Sequence, residues 1–194
     1  ALSRVLEDAF RVEGIPYVVA RGTAFYDRKE IKQALSYLRL LVNPKDDVAF
    51  ARVINTPTRG IGSTSISRLE HIAYTRSISL LEATSTVSKE QGFTARAVKA
   101  MNKFFETWKQ WREDSRSEES LTAAASLADL VERVIRESGL EESYTKTSAE
   151  EDLERLQNLE ELVSAAAEFE ERYELEHTDE QSMTPLHLLF AFLE

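Results

Sequence analysis
From Glu150 to about Glu176 the chain runs without a glycine or a proline, and its apolar residues Leu156, Leu159, Val163, Ala166, Phe169 and Tyr173 recur at spacings of three and four. That period lines one stripe of an α-helix and leaves acid on the opposite face. A helix of this length spans roughly 40 Å, so it must cross a whole domain and other elements must pack along it. Six glycines and four prolines in 194 residues leave little material for tight hairpins elsewhere. Helices should therefore dominate, and the expected fold class is all-α.

The remaining periodic segments agree with this. Leu2 to Glu13 reads as a short helix closed by Gly14. Arg28 to Val42 carries Ile31, Leu35, Leu38, Leu41 and Val42 on one face and ends at Asn43-Pro44. Asp46 can cap a helix running to about Asn55, with Val48, Ala51 and Ile54 expected inside. After Thr56-Pro57, Ser63 or Thr64 can cap a helix bearing Ile66, Leu69, Ile72 and Ala73. Further helices are predicted at about 78–86, at 94–112 with Val98, Met101, Phe105 and Trp108, and at 126–138 closed by Gly139. Glu113 to Ser120 reads as a polar linker, and Thr184-Pro185 opens a last short helix ending at Leu193. The exception is Ile15-Pro16-Tyr17-Val18-Val19-Ala20, a brief β-type run without an obvious partner.

Composition excludes several function classes. There is no cysteine, so disulfides and thiolate metal sites are ruled out. His71, His177 and His187 form no zinc-binding helix pair, and clustered acids such as Glu150, Glu151, Asp152 and Glu154 lack calcium-loop turn residues. No nucleophile elbow and no phosphate-binding P-loop occurs, so no catalytic residue, metal or cofactor is assigned within these residues. No apolar run approaches the ~20 residues of a membrane span, and the first residues lack a signal-peptide pattern. The expectation is a soluble, cytoplasmic protein with no membrane partner.

The formal net charge of −10 is unevenly spread. Residues 1–112 hold 18 Lys+Arg against 11 Asp+Glu, net +7, whereas residues 113–194 hold 6 against 23, net −17. Two differently solvated faces or two different partners would both account for this. Within the basic half, Thr56-Pro57-Thr58-Arg59-Gly60-Ile61-Gly62-Ser63-Thr64 lies between two helices. Two glycines around one apolar residue let the backbone turn sharply, Ile61 can pin the turn, and free amides would point outward. Backbone nests and helix N-termini bind phosphate, with Arg59 adding charge and Thr58, Ser63 and Thr64 adding hydroxyls. A helix-hairpin-helix grips duplex backbone this way; a plain interhelical turn is the other reading.

Ser3-Arg4-Val5-Leu6-Glu7, Ile15-Pro16-Tyr17, Phe25-Tyr26-Asp27-Arg28-Lys29-Glu30-Ile31-Lys32, Tyr37-Leu38-Arg39-Leu40, Asn43-Pro44, Asp46-Asp47 and Asn55 to Gly62, in this order and spacing, closely resemble the UvrD/PcrA/Rep group of superfamily-one DNA helicases. Leu156-Gln157-Asn158-Leu159-Glu160-Glu161-Leu162 and the closing Thr184-Pro185 to Leu193 resemble the same group. The resemblance implies that residues 1–27 are a remnant of the second RecA-like motor domain and that 28–194 form the helical 2B accessory subdomain. It further implies a parent ATP-dependent 3′-to-5′ helicase, an enzyme using ATP and Mg, of bacterial cytoplasmic, nucleoid-associated type. Expected partners are double-stranded DNA or a single/double-strand junction and the helicase's own motor domains. Thr56, Thr58, Arg59, Gly60, Ile61, Gly62, Ser63 and Thr64 are the expected DNA-binding residues. The alternative is a protein-interaction or autoinhibitory module acting through its acidic C-terminal half.

Overall fold
In the computed structural model, residues 23–116, 126–146, 149–177 and 184–194 are described. Their regular structure is wholly helical: α1 Thr23–Tyr26, α2 Lys29–Val42, α3 Asp47–Val53, α4 Ser63–Arg76, α5 Leu80–Thr84, a 3₁₀ turn Val87–Lys89, α6 Ala95–Asp114, α7 Leu127–Ser138, α8 Leu140–Thr145, α9 Glu150–Glu176 and α10 Pro185–Phe192. The expected helix at 2–13, the β-type run at 15–20 and residues 117–120 of the expected linker lie outside the described residues. Of that linker, Glu113 and Asp114 close α6.

The sequence explains where these helices start. Ser79, Thr94, Ser126 and Thr184 each accept a first-turn amide through the side chain, and Asp46 accepts from the Ala49 amide at 2.8 Å. Pro185 occupies the first turn of α10, where its missing N–H costs nothing. Gly139 ends α7 in the left-handed region at φ 84°, a conformation that only glycine adopts without strain.

α2 is the central element. Ile31, Leu38, Leu40 and Leu41 are fully buried, Tyr37 is 1% exposed, and Glu30, Gln33 and Ser36 are buried too, so the helix is covered almost all round. It is packed by α3, α6, α7, α9 and α10. Glu30 and Gln33 are paired across the interface with α9 and α8, while the Ser36 hydroxyl donates to Lys32 O of its own helix. Asn158 Nδ2 donates to Glu30 Oε1 at 2.6 Å, Arg28 donates to Asn158 Oδ1, and the Tyr144 hydroxyl donates to Gln33 Oε1 at 2.9 Å. Burying these groups unpaired would cost ~1–3 kcal/mol each, so the seam fixes how α9 lies on α2.

Two local expectations are corrected. In α3 the inner face is Ala49, Phe50 and Val53 with Ile54 behind, while Val48 is 74% exposed and Ala51 faces solvent. Phe50 decides the phase: its ring meets Phe104 edge-on at 5.7 Å, and a phenyl ring buries far more apolar area than Val48 or Ala51 could. At α4 the N-cap is Gly62, which has no side chain to cap with, and Ser63 and Thr64 are already helical. Trp108 and Trp111 are buried packing residues, their indoles donating to Leu40 O at 3.1 Å and Glu137 Oε2 at 2.7 Å.

Candidate nucleic-acid interface
The segment from Asn55 to Gly62 joins α3 to α4 and is organised from within. Asn55 Oδ1 accepts from the amides of Arg59 (2.8 Å) and Ile61 (3.3 Å), and its Nδ2 donates to Ile61 O at 3.0 Å. Ile61 is 3% exposed and pins the loop to the core. Gly60 sits at φ +75°, and a Cβ there would come within 2.5 Å of Arg96 Nε. Its missing side chain serves the turn, and the end of the Arg96 side chain lies over it.

Arg59 does not point its charge outward. Its guanidinium donates to the carbonyls of Val53 (2.8 Å), Ile54 (3.3 Å), Thr56 (3.0 Å), Pro57 (3.2 Å) and Ser138 (2.9 Å), and to the Tyr37 hydroxyl at 2.5 Å. It lies 5.4 Å from the Phe104 ring centre. The cation thus satisfies carbonyls left over at the C-terminal ends of α3 and α7, where the helix dipole favours positive charge. Tyr37 passes the network on by donating to Thr56 O, and burial pushes its phenol up against the opposing pull of Arg59. With its donors committed in this way, Arg59 belongs to the fold of the loop.

The other predicted residues divide by exposure. Thr58, Gly62, Ser63 and Thr64 face solvent, Thr56 and Gly60 are half-buried, and Ile61 is interior. At the start of α4 the Ser65 and Ile66 amides return to Gly62 O at 3.0 and 3.2 Å, while those of Ser63 and Thr64 have no acceptor among the described residues. These two amides are first-turn donors open to solvent, at the positive end of a fourteen-residue helix.

A cleft of ≈ 520 Å³ opens between the 57–59 loop, α6, the end of α7 and α8. Six cations line it against two carboxylates, in a chain whose net charge is −10. The carboxylates are compensated: Glu137 accepts from Arg133 at 3.0 Å and Glu142 pairs with Lys146 at 3.5 Å. Arg136 lies 3.9 Å from Glu132. Arg96, Lys99 and Lys103, exposed on one face of α6, have no ion pair among the described residues. Sequence reasoning treated 94–112 only as a packing helix and missed them. The available signal was their spacing of three and four on the side away from Met101 and Trp108.

The class these features define is an all-α module that presents a cationic cleft and an uncapped helix N-terminus from an acidic chain. The chain belongs to the UvrD-like helicase C-terminal domain family, whose model it matches over residues 1–194. It is 40% identical over 169 residues to DNA helicase II of Escherichia coli (strain K12), covering 87% of this chain and 22% of that protein. To DNA helicase II of Haemophilus influenzae it is 41% identical over 167 residues, covering 86% and 22%. To the ATP-dependent DNA helicase PcrA of Staphylococcus epidermidis it is 34% identical over 183 residues, covering 94% and 24%. The chain thus spans less than a quarter of the length of these relatives. Among the described residues, no helix is long and apolar enough to cross a membrane.

Proposed function
We propose that this chain is the 2B-type accessory subdomain of an ATP-dependent 3′-to-5′ DNA helicase and that it holds duplex backbone without reading sequence. Residues 1–27 would belong to the second RecA-like motor domain, and ATP and Mg would bind elsewhere in the parent protein. The observation that carries the reading is the solvent-open N-terminus of α4, where the Ser63 and Thr64 amides lie beside exposed hydroxyls and Gly62 permits close approach of a strand. Support comes also from the names of the relatives, which are DNA helicases. Within the loop, Thr58, Gly62, Ser63 and Thr64 would meet phosphates. Asn55, Arg59 and Ile61 would shape the surface, with Thr56 and Gly60 supplying its turn.

A substitution with opposite effects on fold and binding tests this. A carboxylate in the first turn of a helix stabilises it by ~0.3–1 kcal/mol, yet repels phosphate. Thr64→Glu should therefore keep or raise Tm while lowering affinity several-fold for a duplex bearing a 3′ single-stranded tail, read by fluorescence anisotropy. Unchanged affinity would remove the α4 N-terminus from the interface.

The acidic half offers a second reading. Leu153 and Leu175 are 50% and 78% exposed among the carboxylates of α9, as a protein-docking helix would present them. Charge reversal across 150–154 that abolishes capture of the motor domains would favour it.

A further inference from the structure
We propose that Arg96, Lys99 and Lys103 of α6 form a second phosphate-binding surface, taking consecutive phosphates of a nucleic-acid strand beside the strand contact at the α4 N-terminus. The inference deepens the duplex-binding reading and places the main electrostatic contribution outside the loop. Three observations carry it. The three side chains are exposed on one face of α6 and border the cleft, with no carboxylate bound to any of them among the described residues. By contrast, Lys109 on the same helix pairs with Glu113, and Arg136 across the cleft has Glu132.

The second observation is contiguity. The guanidinium end of Arg96 reaches the loop at Gly60, so the α6 cations begin where the loop ends. The third is that Arg59 is already committed to backbone carbonyls, so the loop itself brings no free cation to a phosphate. An interface of neutral amides and hydroxyls alone would release few counterions, whereas each Lys or Arg that neutralises a phosphate adds ~0.9 to the salt slope. Arg96 to Lys103 spans ~10 Å along the helix axis, comparable to the axial rise of about three phosphates in one duplex strand.

The test measures binding of the chain to a fluorescein-labelled duplex with a 3′ single-stranded tail between about 20 and about 150 mM salt, a range in which counterion release dominates. Wild type is compared with Lys99→Gln/Lys103→Gln, with Thr64→Glu, and with Lys45→Gln/Arg172→Gln, which makes the same change in net charge at exposed positions away from the cleft. The α6 double variant should lose about two units of slope in log K against log salt, with an unchanged melting temperature, while the Lys45/Arg172 control keeps the slope. If the α6 variant keeps the wild-type slope while Thr64→Glu weakens binding, the loop reading stands and the α6 surface is overturned. If only the α6 variant weakens binding, the α6 surface stands and the loop contact falls. An equal loss of slope in the control, or no binding by wild type at the lowest salt, also overturns the α6 surface.

Discussion
Arg59 spends its donors on the ends of two helices and on one buried phenol. Its removal would leave the Val53 and Ser138 carbonyls without their charged donor in a region closed by Tyr37 and Phe104. Arg59→Ala should therefore destabilise the chain by about 2 to 3 kcal/mol, the usual range for losing a charge-assisted bond and stranding its partners. Urea unfolding measures this; a loss below about 0.5 kcal/mol, the size of an ordinary surface change, would mean that the network contributes nothing. Any fall in DNA affinity in that variant has to be read after correcting for stability. Asn55 acts similarly at shorter range: one amide side chain closes the loop on both its ends.

At the scale of elements, caps and buried faces decide the arrangement. The start of α7 is held twice, by Ser126 Oγ on the Asp129 amide at 3.0 Å and by the Glu170 carboxylate of α9 on the Leu127 amide at 3.0 and 3.2 Å. Burial pushes Glu170 up from its ordinary range, against the lowering effect of the Leu127 amide. With a folded pKa above the unfolded value, its contribution to stability is complete below the ordinary glutamate pKa of about 4.3 and is lost as pH rises through the raised value. The stability difference between wild type and Glu170→Gln should therefore shift in favour of the glutamine variant as pH rises from about 4 to about 7. Melting temperatures at stepped pH check it. A shift the other way would mean that charge at the α7 N-terminus outweighs burial.

Across the whole molecule, the basic and acidic halves of the sequence do not form separate bodies. One continuous core runs from Phe25 through Leu189, and α9 of the acidic half packs on α2 of the basic half. Trp108 and Trp111 lie in that core against residues of both halves. Unfolding should accordingly be a single cooperative transition, with tryptophan fluorescence and far-UV circular dichroism coinciding. Two separated transitions would show that the halves fold independently.

The longer helices were legible because they carry apolar residues at three and four spacing, and in α3, α6, α7 and α10 a capping side chain before the first turn. α9 falls where the pattern puts it, Glu150–Glu176, and α7 closes at Gly139 as read. The face of α3 was misread because period alone cannot weigh a phenyl ring against a valine; the position of Phe104 on α6 settles that. The candidate site was legible as a loop, in Gly60, Ile61 and Gly62, but the direction of its charge was not. Arg59 looked available because its acceptors are scattered, Tyr37 lying 22 residues before it and Ser138 lying 79 after. The free cations of α6 were equally hidden, since a lysine is unpaired only relative to neighbours that the fold selects. The sequence by itself thus determined the longer helices and the family they belong to, because those depend on local period and order of residues, whereas the short α1 and α8 were not legible in it. Only the tertiary structure decided which cations are held inside and which stay exposed without a carboxylate partner, because charge pairing depends on distances between residues far apart in the chain.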